Sequence, residues 1–166
     1  MFDVKIVNGI IVDGTGNSRY KSDVGIVGDK IMAIGDLSQK EAKETIDATG
    51  KFVSPGFIDF HTHSDLSLVY DKYTRSRIHT GVTTDVIANC GIGVAPIREE
   101  KKQELIDYLG TRIIGTIPTK LELHWNTMQE YFDYLTENSP AVNVVAYVAQ
   151  GPVRINEMGF SKEPAT

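Results

Sequence analysis

Apolar and polar residues alternate from the start of the chain. Val4, Ile6, Ile10 and Val12 flank Asn8-Gly9, and alternation around Asn-Gly is the strongest short-range signal of a β-hairpin. Val24 and Ile26 precede Gly28-Asp29, with Ile31 and Ile34 beyond it, so a second hairpin is predicted there. Gly14 to Ser18 reads as a loop. Ile46 to Val53 is a further strand region, broken near Thr49-Gly50. Residues 1–54 thus form a small β-module of short antiparallel strands.

The pattern changes at Ser54-Pro55-Gly56. Phe57 to His61 shows little alternation, as expected of a strand buried on both faces. Leu66, Val69, Tyr73 and Ile78 recur at loosely helical spacing, and Gly81 would end that helix. Val82 to Ala88 is the next strand. Lys101 to Leu109 fits a short helix stopped by Gly110. Thr127-x-x-Glu130 matches a capping box, and Met128, Tyr131, Phe132 and Leu135 behind it share one helical face ended by Pro140. Val142 to Val148 is a third, valine-rich strand. Strands alternating with helices predict parallel β/α units over residues 55–166.

Composition narrows the class. A hydrophobic content of 41% suffices for a packed core in a chain of 166 residues. The net charge of −5 argues against a nucleic-acid groove or an anionic membrane surface as partner. Met1-Phe2-Asp3-Val4-Lys5 lacks a basic segment followed by an apolar one, so no signal peptide is read. No apolar run approaches the ~18 residues of a membrane span. A single cysteine allows no internal disulfide and suits a reducing cytoplasm.

The candidate chemistry sits at two strand ends. Pro55-Gly56-Phe57-Ile58-Asp59-Phe60-His61-Thr62-His63 places two imidazoles at His-x-His spacing. Residues two apart in an extended chain point the same way, so one metal ion could accept both nitrogens. Neutral imidazole is the commonest metal ligand. Asn89-Cys90-Gly91 closes the next strand with the only cysteine. A His-x-His pair by itself does not separate a ligand pair from a solvated strand end, and a lone cysteine is ordinarily a small buried apolar residue. The ordered combination of His-x-His, Gly81-Val82-Thr83-Thr84 and Asn89-Cys90-Gly91 is what makes His61, His63 and Cys90 candidate metal ligands.

These residues, together with Ser64-Asp65, Ile92 and Ala95-Pro96, resemble the amidohydrolase superfamily. Within it the chain is most similar to the N-acyl-D-amino-acid deacylase (D-aminoacylase) branch. Gly151, Arg154 and Met158-Gly159 add weaker support. Cys90 marks the branch, since related cyclic amidohydrolases bridge their metals with a carboxylated lysine from a later strand.

The resemblance implies a (β/α)8 barrel with a small β-sandwich. Residues 1–54 would be the N-terminal part of the sandwich. Residues 55–166 would begin a metal-dependent hydrolase barrel, with His61, His63 and Cys90 at the strand ends where barrel enzymes carry their chemistry. It further implies one tight zinc on the Cys90 thiolate, a second weaker metal position lined by His61 and His63, and hydrolysis of N-acyl-D-amino acids to a carboxylate and a D-amino acid. One departure is Ala149-Gln150-Gly151, where the branch often carries Gly-His-Gly; a glutamine does not titrate near neutral pH.

An eight-stranded barrel takes about 250 residues. At about 30 residues per β/α unit, residues 55–166 supply about three strands of an incomplete TIM-type barrel. The other zinc histidines and the catalytic aspartate that the resemblance implies find no counterpart in this sequence. His79 and His124 read as helix-surface or packing residues. The chain is therefore expected to be the N-terminal portion of an enzyme, to contain no catalytic residue, and to be inactive by itself. Its expected partners are the remaining C-terminal barrel units and, in the complete enzyme, a small-molecule substrate. Self-association through an open sheet edge is also expected. Two other classes compete: a cyclic amidohydrolase of dihydroorotase or hydantoinase type, and a non-enzymatic scaffold or partner-binding piece.

Overall fold

The computed structural model describes residues 1–112 and 121–165. The chain divides into two compact units, Met1–Pro55 and Gly56–Thr166. In the first, β1 (Phe2–Ile11), β2 (Tyr20–Val27), β3 (Lys30–Gly35) and β4 (Ala42–Asp47) form a sheet in the order β3-β2-β1-β4, with β5 (Phe52–Val53) also on β1. β2 and β3 make the hairpin expected around Gly28, whose φ of 58° suits a tight turn.

The hairpin expected at Asn8-Gly9 does not form. β1 runs straight through both residues, and its register against β2 slips between Ile6 and Gly9. Asn8 sits there at φ 63°, a left-handed conformation that asparagine tolerates. Its amide donates to Asp23 Oδ1 at 3.0 Å and its side chain to Asp47 Oδ1 at 3.0 Å. Two distant carboxylates thus turn a turn signal into a β-bulge. The sheet is also mixed rather than antiparallel, because β4 and β5 both pair with β1 in parallel.

In the second unit, β6 (Phe57–Asp59), β7 (Val82–Ile87) and β8 (Asn143–Ala146) form a parallel sheet in that order. Around them lie α1 (Ser67–Tyr70), α2 (Arg75–Ile78), α3 (Lys102–Arg112), α4 (Met128–Asn138) and α5 (Gln150–Met158). The core gathers Leu66, Leu68, Ile87, Val94, Ile97, Leu105, Leu109, Trp125 and Tyr131. Trp125 donates its indole N–H to Val94 O at 2.8 Å, so burying the ring leaves no orphan donor. α4 opens on the expected capping box, with Thr127 and Glu130 exchanging side-chain bonds to each other's backbone amides.

Three further expectations need correction. β6 is not buried on both faces: Phe57 is 58% and Ile58 53% exposed, since among the described residues β6 pairs only with β7. The helix read over Leu66 to Thr80 is two single turns, interrupted at Thr74, which is buried at φ 40°. The break is held by the Ala141 amide, which donates to Lys72 O at 2.7 Å. Gly110 does not end α3, which continues to Arg112; one helical glycine costs only about 1 kcal/mol, and buried Leu105 and Leu109 anchor the helix. α5 was not foreseen. Among the described residues no helix is long and apolar enough to cross a membrane.

Where α5 begins, Gly151 lies so close to the loop after β7 that a Cβ would overlap Gly91 O and come within 3.0 Å of the Tyr108 ring. Gly151→Ala should therefore lower stability by about 1–3 kcal/mol, the usual cost of overpacking. Denaturant unfolding measures it, and an unchanged midpoint would contradict the close approach.

Candidate metal centre

The segment after β6 stays extended for several residues beyond its last strand residue. Thr62 donates its amide to Val86 O at 3.1 Å and its hydroxyl to the same oxygen at 3.2 Å. Ser64 Oγ donates to Asp85 Oδ2 at 2.5 Å. Thr62 and Ser64 are buried, whereas His61 and His63 are exposed. This period of two is the extended-chain alternation, and it sets both imidazoles on one face. Their ring centroids lie 5.4 Å apart, edge to face.

Cys90 approaches from the end of β7. A single 3-10 turn, Asn89–Gly91, follows that strand, with Ala88 at φ 66° and Cys90 at φ 55°. Left-handed backbone costs a non-glycine residue roughly 1–2 kcal/mol, so this elbow needs external support. The Asn89 side chain supplies part of it, donating to Val86 O at 2.9 Å and Thr62 O at 3.4 Å. Asp65 Oδ1 supplies more, accepting from the Ala88 amide at 2.9 Å; a hydrogen bond of this kind contributes about 1 kcal/mol.

The outcome is a compact trio. His61 Nε2 lies 3.0 Å from Cys90 Sγ. One donor atom from each of His61, His63 and Cys90 falls within 4.8 Å of the others, and all three residues are exposed. Around a tetrahedral zinc, bonds of about 2.0–2.3 Å separate neighbouring donors by about 3.3–3.6 Å. The trio therefore suits a metal with small adjustments, and mixed thiolate and imidazole donors suit zinc. Partial loss of water around the ring and the neighbouring His61 hold the His63 pKa below the ordinary histidine value, which favours the neutral imidazole that ligates. A cleft of about 430 Å³ opens beside both histidines, lined further by Tyr70, Thr74 and Arg77. His79 is exposed at the end of α2, and His124 stacks on Tyr134 at 5.9 Å.

Beneath the trio lies a polar layer that sequence reading missed. Arg77 Nη1 meets Asp59 Oδ2 at 2.9 Å and its Nε meets Asp85 Oδ2 at 3.4 Å. Asp59 Oδ1 in turn accepts from the His61 amide at 3.2 Å. One guanidinium on α2 thus ties the end of β6 to the middle of β7. Asp65 is 1% exposed, and burial pushes its pKa up to about 7. Tyr131 donates its hydroxyl to Asp65 O at 2.9 Å. Its own pKa is raised by burial and by the Asp65 charge. The sequence signals for this layer were Asp59 ahead of the histidines and Ser64-Asp65 after them; nothing in the spacing pointed to Arg77 or Asp85.

Comparison with known proteins gives this geometry a context. A family model described as the amidohydrolase family matches residues 44–150. D-aminoacylase from Alcaligenes xylosoxydans xylosoxydans is 34% identical over 165 residues, covering 99% of this chain and 32% of that protein. A crystal structure of D-aminoacylase superposes with a TM-score of 0.84 at 34% identity, over 100% of this chain and 33% of that one. A crystal structure of N-acyl-D-glutamate deacylase from Bordetella bronchiseptica, complexed with zinc and a phosphonate mimic of the tetrahedral intermediate, gives 0.78 at 34% identity, over 95% of this chain and 31% of that one. The chain thus spans about a third of the length of the curated relatives it matches.

Removing the Arg77 guanidinium would leave fully buried Asp85 without its cation. Arg77→Ala should cost about 3 kcal/mol, the low end for a broken buried pair because the arginine reaches solvent. Adding Asp85→Asn should recover part of that loss. Thermal unfolding of the single and double variants checks it; a double variant no more stable than Arg77→Ala would contradict the brace.

Proposed function

The chain belongs to the amidohydrolase family, and from that premise we propose that it carries the metal-binding strand ends of a zinc-dependent enzyme that hydrolyses N-acyl-D-amino acids. The products are a carboxylate and a free D-amino acid. The observation that carries this reading is the convergence of His61, His63 and Cys90 donor atoms within 4.8 Å. Similarity to D-aminoacylase and to N-acyl-D-glutamate deacylase along nearly the whole chain supports the substrate class. Residues 1–54 are read as sandwich strands and residues 55–166 as the first three units of the barrel.

In this reading Cys90 is the thiolate ligand of the tight site, and His61 and His63 line the second, weaker position. Zinc held there supplies Lewis acidity, activating water and polarising an acyl carbonyl. The protein's part is placement. Asp59 fixes the His61 backbone and, through Arg77, the turn that walls the cleft. The lowered pKa of His63 keeps its lone pair available. Gln150, at the start of α5 beside Gly91, can orient a polar group by hydrogen bonding but cannot exchange a proton near neutral pH.

Hydrolysis also needs a group to carry a proton to the leaving amine and a clamp for the substrate carboxylate. Asp71 and Tyr70 line the same cleft but are not assigned the proton-carrying role, and Arg77 is already engaged by Asp59 and Asp85. These roles are assigned to the remaining barrel units, the partners this chain is proposed to need.

Two outcomes follow. The 166-residue polypeptide should bind zinc weakly or not at all and release no D-amino acid from N-acetyl-D-amino acids. A coupled assay for free D-amino acid with zinc supplied measures this, and clear turnover by the pure polypeptide would refute the division of labour. In a longer protein containing this chain, Cys90→Ser should remove the tight zinc and lower activity by more than the ~10–100-fold typical of outer-shell changes. Metal analysis beside the same assay checks it; full zinc content with retained activity would exclude Cys90 as the tight ligand.

A further inference from the structure

Asp65 is a buried acid that neither ligates in the proposed site nor sits where a substrate would reach it: it is 1% exposed. A carboxylate taken out of water needs compensation, yet Oδ2 has no hydrogen-bond partner among the described residues, and besides its own backbone amide the carboxyl meets one amide from elsewhere in the chain. That partner is telling. It is the amide of Ala88, the left-handed residue that opens the elbow leading to Cys90. Asp65 is itself pinned from the other side, since buried Tyr131 of α4 donates to its carbonyl at 2.9 Å. It follows His63 by two residues and so belongs to the same segment as both imidazoles. One side chain thereby ties the histidine-bearing segment to the cysteine-bearing one.

We propose that Asp65 is the positioning residue of the cluster: its carboxylate holds the Ala88 amide in the left-handed turn and so keeps Cys90 Sγ against His61 Nε2. The Asn89 side chain bonds Val86 O and Thr62 O, which fixes Asn89 but leaves the Ala88 amide to Asp65. The purpose of this tie rests on the metal-centre reading above; its geometry does not.

The test compares the 166-residue chain with Asp65→Ala, Asp65→Asn and a core control, Leu109→Ala, whose side chain is buried in α3. Hydrogen exchange of the Ala88 amide is measured by NMR as a ratio to that of Val86 in the same molecule, which removes differences in global stability. Asp65→Ala should raise the ratio at least tenfold. Asp65→Asn, which keeps an accepting oxygen, should stay within about threefold of the parent, and Leu109→Ala should leave the ratio unchanged. Should Asp65→Ala fail to fold, the comparison moves to an Ala88→Gly background, where glycine relieves the left-handed turn; the residue-88 amide should again lose protection when Asp65 is replaced. A ratio unmoved by removing the carboxylate, or moved equally by Leu109→Ala, would overturn the proposal. A cobalt(II) titration into the millimolar range gives the second reading: Asp65→Ala should weaken thiolate-to-metal absorption at least tenfold in affinity relative to Asp65→Asn, and equal affinities would also count against it. A parent chain with no thiolate–cobalt absorption would agree with the incomplete ligand shell of this length of chain, and the exchange ratio alone would then decide the role of Asp65.

Discussion

The two hydrogen bonds from Thr62 to Val86 O are the constraint on which the rest of the candidate site depends. They carry the extended chain past the last paired residue of β6, at a point where a loop would otherwise begin. Extended backbone sends alternate side chains to opposite sides. Thr62 and Ser64 therefore turn inward to meet Val86 and Asp85, and His61 and His63 turn outward together. Without that continuation the His-x-His spacing would carry no geometric meaning.

The polar layer beneath the site has an energetic cost that local structure alone does not justify. Asp65 and Asp85 are both buried, and each keeps one oxygen with no hydrogen-bond partner among the described residues. Ala88 and Cys90 occupy left-handed backbone that glycine would adopt more easily. Arrangements of this kind persist where the surroundings over-determine them, and they concentrate at functional sites. Here the over-determination comes from separate elements: α2 through Arg77, α4 through Tyr131, and α5 through the close seat of Gly151 against Gly91.

Sequence reading succeeded where a signal is local. Gly28-Asp29 turns a hairpin, Thr127 and Glu130 cap α4, and three strand-like runs pair in parallel in chain order. It failed where a distant partner decides. Asn8-Gly9 has the same local chemistry as a true turn, but Asp23 and Asp47 convert it to a bulge, and no window of a few residues contains them. The break at Thr74 depends on Ala141 reaching Lys72 O. The convergence of His61, His63 and Cys90 was legible because consecutive strands of a β/α unit were expected side by side, as β6 and β7 are. The brace of Arg77, Asp59 and Asp85 was not, because an arginine on a short helix looks like any solvated charge until the fold brings acids to it.

All three donors of the cluster face solvent rather than the core. A cation arriving from water meets them without any opening of the protein interior. If this chain binds a metal as proposed, capture and release would need no unfolding step. Soft and borderline donors rank divalent copper above zinc, so an accessible set of this composition discriminates poorly by affinity. If the proposed site holds a metal, affinity alone would not select zinc over copper, and the choice of ion would rest on supply.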